Sequence, residues 1–195
     1  MSTEPGWQRR IKAIVIGGSA GGVEALAKLL PALRADVGLP VFIVLHLPRE
    51  RPSLLADIFK TRCALPTREV QDKEPIAPGT VYFAPPDYHL LVDRGPSLAL
   101  SVDEPVFYSR PAIDVLFESA ADIYGRDLLG IILTGGNEDG AQGLAAVREA
   151  GGVTIVQDPA SAQIAAMPQA ALDKGPADFT LHLDQIADLL ATLQT

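Results

Sequence analysis

The sequence predicts an α/β fold: an open, doubly wound, mostly parallel sheet with helices on both faces and an antiparallel hairpin at one edge. Three observations carry this reading. Strand-like and helix-like segments alternate along most of the chain. The main strand-like segments are continuously apolar, as strands covered on both faces are. Gly-rich or polar turns follow those strands, at the edge where open α/β sheets place their ligands. With 195 residues, 48% of them hydrophobic and 21% charged, the chain has the material for one well-buried core and is not globally disordered.

The elements read as follows. Ile11 to Ile16 is a short β-branched strand ended by glycines, and Val23 to Leu33 repeats apolar residues at near-helical spacing. Pro40 to Leu45 is a second continuous apolar strand. Ser53 to Lys60 is a short helix with Ser53 at its cap or first turn. The middle of the chain changes character. Val81–Ala84, His89–Asp93 and Ser97–Val102 are short strands among prolines, the last two joined by the turn Arg94-Gly-Pro-Ser97. They read together as an antiparallel embellishment. Alternation then resumes with a helix from Ile113 to Tyr124, a buried strand from Leu128 to Leu133 and a helix from Ala141 to Ala150 stopped by Gly151-Gly152. A strand at Val153–Val156, a helix opened by Pro168 and ended by Gly175, a weak strand at Asp178-Phe-Thr-Leu181 and a last helix capped by Asp184 complete the order. Residues 1–10 read as a short N-terminal tail and residues 11–195 as one domain.

Composition excludes several classes of function. A net charge of −8 disfavours nucleic acid as a partner. The single Cys63 excludes a disulfide framework and fits a reducing compartment, and three scattered histidines offer no metal site. The first ten residues lack the apolar region of a signal peptide, and no apolar run approaches the ~18 residues of a membrane span. A cytoplasmic protein without membrane insertion, metal or cofactor is expected.

The chemistry should sit at the carboxyl ends of the strands. Gly17-Gly-Ser19-Ala-Gly21 follows the first, His46 the second, and Thr134-Gly-Gly-Asn-Glu-Asp139-Gly140 the strand ending at Leu133. The glycine turn fits G-x-S-x-G, a strand-to-helix elbow that exposes a nucleophile. It fits neither the P-loop, since Val23 stands where lysine would follow, nor G-x-G-x-x-G, since Ser19 holds the second glycine position. An anion-binding turn capped by Ser19 remains an alternative for the loop alone. His46 alone could be structural, and Asp139 alone could be a helix cap. Together, serine, histidine and aspartate are the inventory of nucleophilic acyl chemistry. Their order, Ser–His–Asp, differs from the Ser–Asp–His order of α/β-hydrolases.

Six segments in register carry a resemblance: Ile16-Gly-Gly-Ser-Ala-Gly-Gly22, His46-Leu-Pro48, Tyr82-Phe-Ala-Pro-Pro-Asp87 with His89, Ser109-Arg-Pro-Ala-Ile-Asp-Val-Leu-Phe117, Ile131-Ile-Leu-Thr-Gly-Gly-Asn-Glu-Asp-Gly140 and Ala166-Met-Pro168. Nearly the whole chain resembles the catalytic domain of the CheB-type chemotaxis protein-glutamate methylesterases. The resemblance implies a serine hydrolase that removes methyl groups from glutamate methyl esters on chemoreceptor helices, with deamidation of receptor glutamines as a second reaction. It assigns Ser19 as nucleophile, His46 as general base and Asp139 as the group that orients it. Oxyanion or substrate contacts are implied at Ala20, Gly135, Gly136, Arg110 and Met167. Ala20 and Gly136-Asn137 depart from the Ser-Thr and Met-Gly of the family pattern. The resemblance also makes a receiver domain the usual regulator. The tail of residues 1–10 is too short for one, so constitutive activity is expected unless a separate receiver protein supplies such control. A serine esterase or amidase with another substrate, or a silent binding module using the glycine loop, are the competing readings.

Overall fold

The computed structural model describes residues 6–48 and 50–193. Seven strands form one sheet, all parallel: β1 (Ala13–Gly18), β2 (Val41–Leu45), β3 (Thr67–Glu69), β4 (Val81–Phe83), β7 (Leu128–Ile132), β8 (Val153–Gln157) and β9 (Phe179–Leu181), in the order β3-β4-β2-β1-β7-β8-β9. The hairpin β5 (His89–Asp93) and β6 (Ser97–Ser101) forms a separate antiparallel pair. The helices are α1 (Gly22–Leu29), α2 (Leu55–Lys60), α3 (Ile113–Tyr124), α4 (Ala141–Glu149), α5 (Ala166–Lys174) and α6 (Leu183–Ala191).

Successive strand residues face opposite sides of a sheet, and the two sides here are two cores. Ile14 and Ile16 of β1, Val41 and Ile43 of β2, and Leu129 and Ile131 of β7 pack with Leu26, Leu29, Phe59, Ile186 and Leu190 from α1, α2 and α6. Val15, Phe42, Val44, Leu128 and Ile132 pack instead with Phe117, Leu144, Val147 and Ala171 from α3, α4 and α5, and with Leu90 and Leu98 of the hairpin. This two-sided burial, worth about 1.5–3 kcal/mol for each large apolar side chain, is why these strands read as unbroken apolar runs.

Three expectations need correction, and one strand was not foreseen. Val81–Ala84 does not belong with the antiparallel segments: β4 pairs in parallel with β2 and is wholly buried. Beside it lies β3, unforeseen because Thr-Arg-Glu carries no apolar signal and, as an edge strand, needs none. The last helix is capped at His182, whose N–H donates to Gln185 Oε1 at 3.0 Å, while Asp184 lies in its exposed first turn. Residues 7–10 are no loose tail. Trp7 packs on Phe179 with ring centroids 5.7 Å apart, and Gln8 Nε2 donates to Thr192 Oγ1 at 2.7 Å. Residues 1–5 of the tail lie outside the described residues.

Candidate active site

The sheet order places β1 between β2 and β7, so the turns after these three strands converge. Gly18 pairs with Leu45, and the His46 N–H donates to Gly18 O at 3.2 Å. Ser19 therefore emerges opposite His46, one strand spacing (about 4.8 Å) away. On its other flank, the Ser19 N–H donates to Thr134 O at 2.9 Å. Gly21 then turns the chain into α1 with φ +81°, a left-handed conformation that side chains strain to adopt.

His46 Nε2 lies 2.7 Å from Asp139 Oδ2. The aspartate is fully buried and the imidazole side chain 12% exposed. Two more hydrogen bonds hold the carboxylate: Ile113 N–H donates to Oδ2 at 2.7 Å and Asp114 N–H to Oδ1 at 3.0 Å. These are the first amides of α3, whose positive dipole end favours an anion. With Asp139 accepting at Nε2, the imidazole holds its proton there and presents Nδ1 as the basic nitrogen. Behind this contact Asp114 is buried, and burial first of all pushes its carboxyl up to about 6. The Asp139 and Glu118 charges push the same way, and the Gly143 and Gly140 amides pull it down.

The turn after β7 is knitted to its neighbours. Thr134 N–H donates to Oε1 of the buried Gln157 at 2.9 Å. Thr134 Oγ1 lies 2.9 Å from Ala20 O and accepts the Ile164 N–H at 2.9 Å. The Gly135 N–H donates to Ile164 O at 3.1 Å, so it is already engaged and is not a free oxyanion donor as expected. The Gly136 amide makes no hydrogen bond among the described residues, and a Cβ there would meet nothing within 4 Å. Ala20 is exposed, and its amide is likewise unengaged among the described residues.

Two further candidates have other surroundings than expected. Met167 is buried in the first turn of α5, where its thioether packs beneath Gly135: a Cβ on that glycine would lie 2.6 Å from Met167 Sδ. It supports the turn from below and does not line the rim. The Arg110 guanidinium binds Asp87 Oδ1, from Nη2 at 2.8 Å and Nε at 3.1 Å, and its Nη1 donates to Val102 O at 2.8 Å and Asp103 O at 3.1 Å. It braces the wall that carries Phe107 and Tyr108, both at positive φ, with Tyr108 97% exposed.

The family model for CheB methylesterase matches residues 14–190 of this chain. The chain belongs to the CheB methylesterase family. It is thus an enzyme of a hydrolase family. A Leptospira interrogans relative is 44% identical over 182 residues, which cover 93% of this chain and 94% of the relative. The protein-glutamate methylesterase/protein-glutamine glutaminase 2 of Caulobacter vibrioides is 40% identical over 186 residues, spanning 93% of this chain but only 54% of that protein. The crystal structure of the Thermotoga maritima CheB methylesterase catalytic domain superposes with a TM-score of 0.87 at 32% identity, over 94% of this chain and 98% of that one. No helix among the described residues is long and apolar enough to cross a membrane, and no group of three or more metal-binding side chains occurs among them.

Sequence reasoning about the CheB-type site named the turn at Thr134 without giving that side chain a part, and missed Gln157 and Asp114. Thr134 and Gln157 stand at the ends of β7 and β8, and a buried polar residue closing an apolar strand was the available signal. The other histidines are distant in role. His89 is buried, with Nδ1 accepting the Ala112 N–H at 3.1 Å and Nε2 against Glu104 O at 3.1 Å. His182 is mostly exposed and lies 3.5 Å from Asp158.

Proposed function

We propose that this chain is a protein-glutamate methylesterase of the cytoplasm that demethylates glutamate methyl esters on chemoreceptor-type helices and deamidates glutamines at such positions. Ser19, His46 and Asp139 act as nucleophile, base and orienting group. The observation that carries this is the buried 2.7 Å contact between His46 Nε2 and Asp139, placed in register beside the serine elbow. The names of the relatives and of the superposed Thermotoga domain support the substrate class.

Ser19 Oγ attacks the ester carbonyl as its proton passes to Nδ1 of His46. Asp139 stabilises the imidazolium through Nε2–H. Charge collects on the carbonyl oxygen, where the Ala20 and Gly136 amides are the available donors, and such donors act strongly because they are fixed before charge develops. Collapse expels methoxide, which leaves as methanol with the Nδ1 proton. Water, deprotonated by the same nitrogen, then releases a free glutamate and regenerates Ser19. With a glutamine substrate the leaving group is ammonia. The exposed Phe107 and Tyr108 wall suits a protein substrate.

The test is methanol release from a methylated chemoreceptor by the wild-type chain and by Ser19→Ala. Release by the wild type alone is expected. Fluorophosphonate labelling of Ser19 without receptor demethylation would retain the hydrolase and reject this substrate. No labelling would reject the nucleophile.

A further inference from the structure

Asp114 exchanges hydrogen bonds with the loop that carries Asp139. The Asp114 N–H donates to Asp139 Oδ1 at 3.0 Å. In return, Asp114 Oδ1 accepts the Gly140 N–H at 2.9 Å and the Gly143 N–H at 2.6 Å. Asp139 thus sits on the N-terminal amides of α3, and Asp114 on those of α4, the helix that follows Asp139. The Gly140 amide belongs to the residue that follows Asp139, so the catalytic-loop backbone is held by Asp114 at the same point where its carboxylate is held by α3.

The packing admits this only with glycine. Gly140 has φ +98°, and a Cβ on it would lie 2.5 Å from Ile132 Cδ1 and 2.9 Å from Ile113 Cγ2. A Cβ on Gly143 would lie 2.6 Å from Phe117 Cβ and 3.0 Å from Asp114 Cα. The two helices are therefore seated as closely as backbone allows, and the Asp114 carboxylate is the polar tie across that seat. Two buried carboxylates side by side repel each other, an arrangement that needs a compensating role.

We infer that Asp114 is a positioning residue for the esterase reaction: by tying the Gly140 and Gly143 amides it fixes the Asp139 carboxylate against His46 Nε2. The inference rests on the proposed roles of His46 and Asp139. Charged groups also face Asp114 from Glu118 on its own helix, from Glu138 in the catalytic loop, and from Asp173 and Lys174 of α5, which with Glu138 line a shared cavity of about 310 Å³.

The test compares the wild type with Asp114→Ala and Asp114→Asn, reading the Nε2 proton of His46 by NMR alongside turnover. In Asp114→Ala the imidazole proton resonance should shift and broaden, and kcat should fall about 10–100-fold, as small misplacements do, with KM changed less than threefold. Asp114→Asn keeps a carbonyl acceptor for the two amides and should recover most of both. An unchanged imidazole resonance and kcat within twofold in Asp114→Ala would overturn the inference. A shifted resonance in a chain whose Ser19 takes no fluorophosphonate would leave the positioning role standing and remove the nucleophile. If Asp114→Ala does not fold, the wild type decides. As pH crosses about 6, the Gly140 and Gly143 amide resonances should move together with the imidazole proton, and should not do so in Asp114→Asn. Movement of the amides without the imidazole overturns the proposal.

Discussion

Replacing Asp139 by asparagine changes one oxygen into an NH₂ in a site that has no place for a donor. Oδ2 accepts from His46 Nε2 and from Ile113 N–H, and Oδ1 accepts from Asp114 N–H. If the asparagine carbonyl takes the Oδ2 position, its NH₂ faces the Asp114 N–H, which stood 3.0 Å from the lost oxygen. If the amide flips, the NH₂ meets the Ile113 N–H and donates to His46. The imidazole must then carry its proton on Nδ1, where it cannot accept one from Ser19. A buried donor without an acceptor costs about 1–3 kcal/mol, and the lost charge-assisted bond about as much again. A loss of roughly 2–6 kcal/mol should lower Tm by about 4–24 °C in a chain of this size. The rate should fall by about 10²–10⁴, the penalty of the wrong tautomer. Esterase turnover and thermal unfolding of Asp139→Asn measure both. Activity within tenfold of wild type together with an unchanged Tm would refute the assignment of Asp139 as the orienting carboxylate.

With Ser19, His46 and Asp139 as the proposed triad, Ser19→Ala should fold with an unchanged Tm, lose about 10⁴–10⁶ in turnover and take no fluorophosphonate label, since the members of a triad act as a unit. The Asp114 carboxyl, pushed up to about 6 from 3.8, contributes stability that is fully present below pH 3.8 and lost as pH rises through 6. Denaturant titrations across that window should show wild type losing up to about 3 kcal/mol relative to Asp114→Asn, and parallel pH profiles would count against the shift. Thr134→Val strips a partner from the Ile164 N–H and from Ala20 O. It should cost about 1–3 kcal/mol and lower turnover about tenfold through the displaced Ser19 and Gly136 backbone; a Tm and a rate both equal to wild type would contradict that linkage.

The strands that frame the site were legible because β1, β2 and β7 are buried on both faces and cannot afford polar residues until they end. His46 and Thr134 are conspicuous for that reason, and Ser19 for the glycines around it. Asp114 was not legible as a site residue. An acid in a helix's first turn is ordinary, and only the tertiary approach of α4 makes it unusual. Arg110 misled in the opposite direction: a cation near the site reads as a substrate contact, yet its donors are taken by Asp87, Val102 and Asp103. Gly135 and Gly136 look alike as letters. Which amide stays open depends on where the Ile164 carbonyl falls, a distance of 29 residues along the chain that no local pattern encodes.

The position of β1 between β2 and β7 has a consequence for how activity returns during refolding. The serine and imidazole come from neighbouring strands early in the chain, whereas the carboxylate lies 93 positions beyond His46, on the opposite flank of β1. Closing so long a stretch is slow relative to local pairing. A chain that has assembled only β1, β2 and their helices carries a serine and a histidine with no group to hold the ring. Trp7 packs on Phe179 at the far edge of the sheet, the two rings tilted by 41°, so its fluorescence and the esterase rate watch different seams of the same molecule. Turnover should recover with the docking of β7 onto β1, whatever the fluorescence has already done.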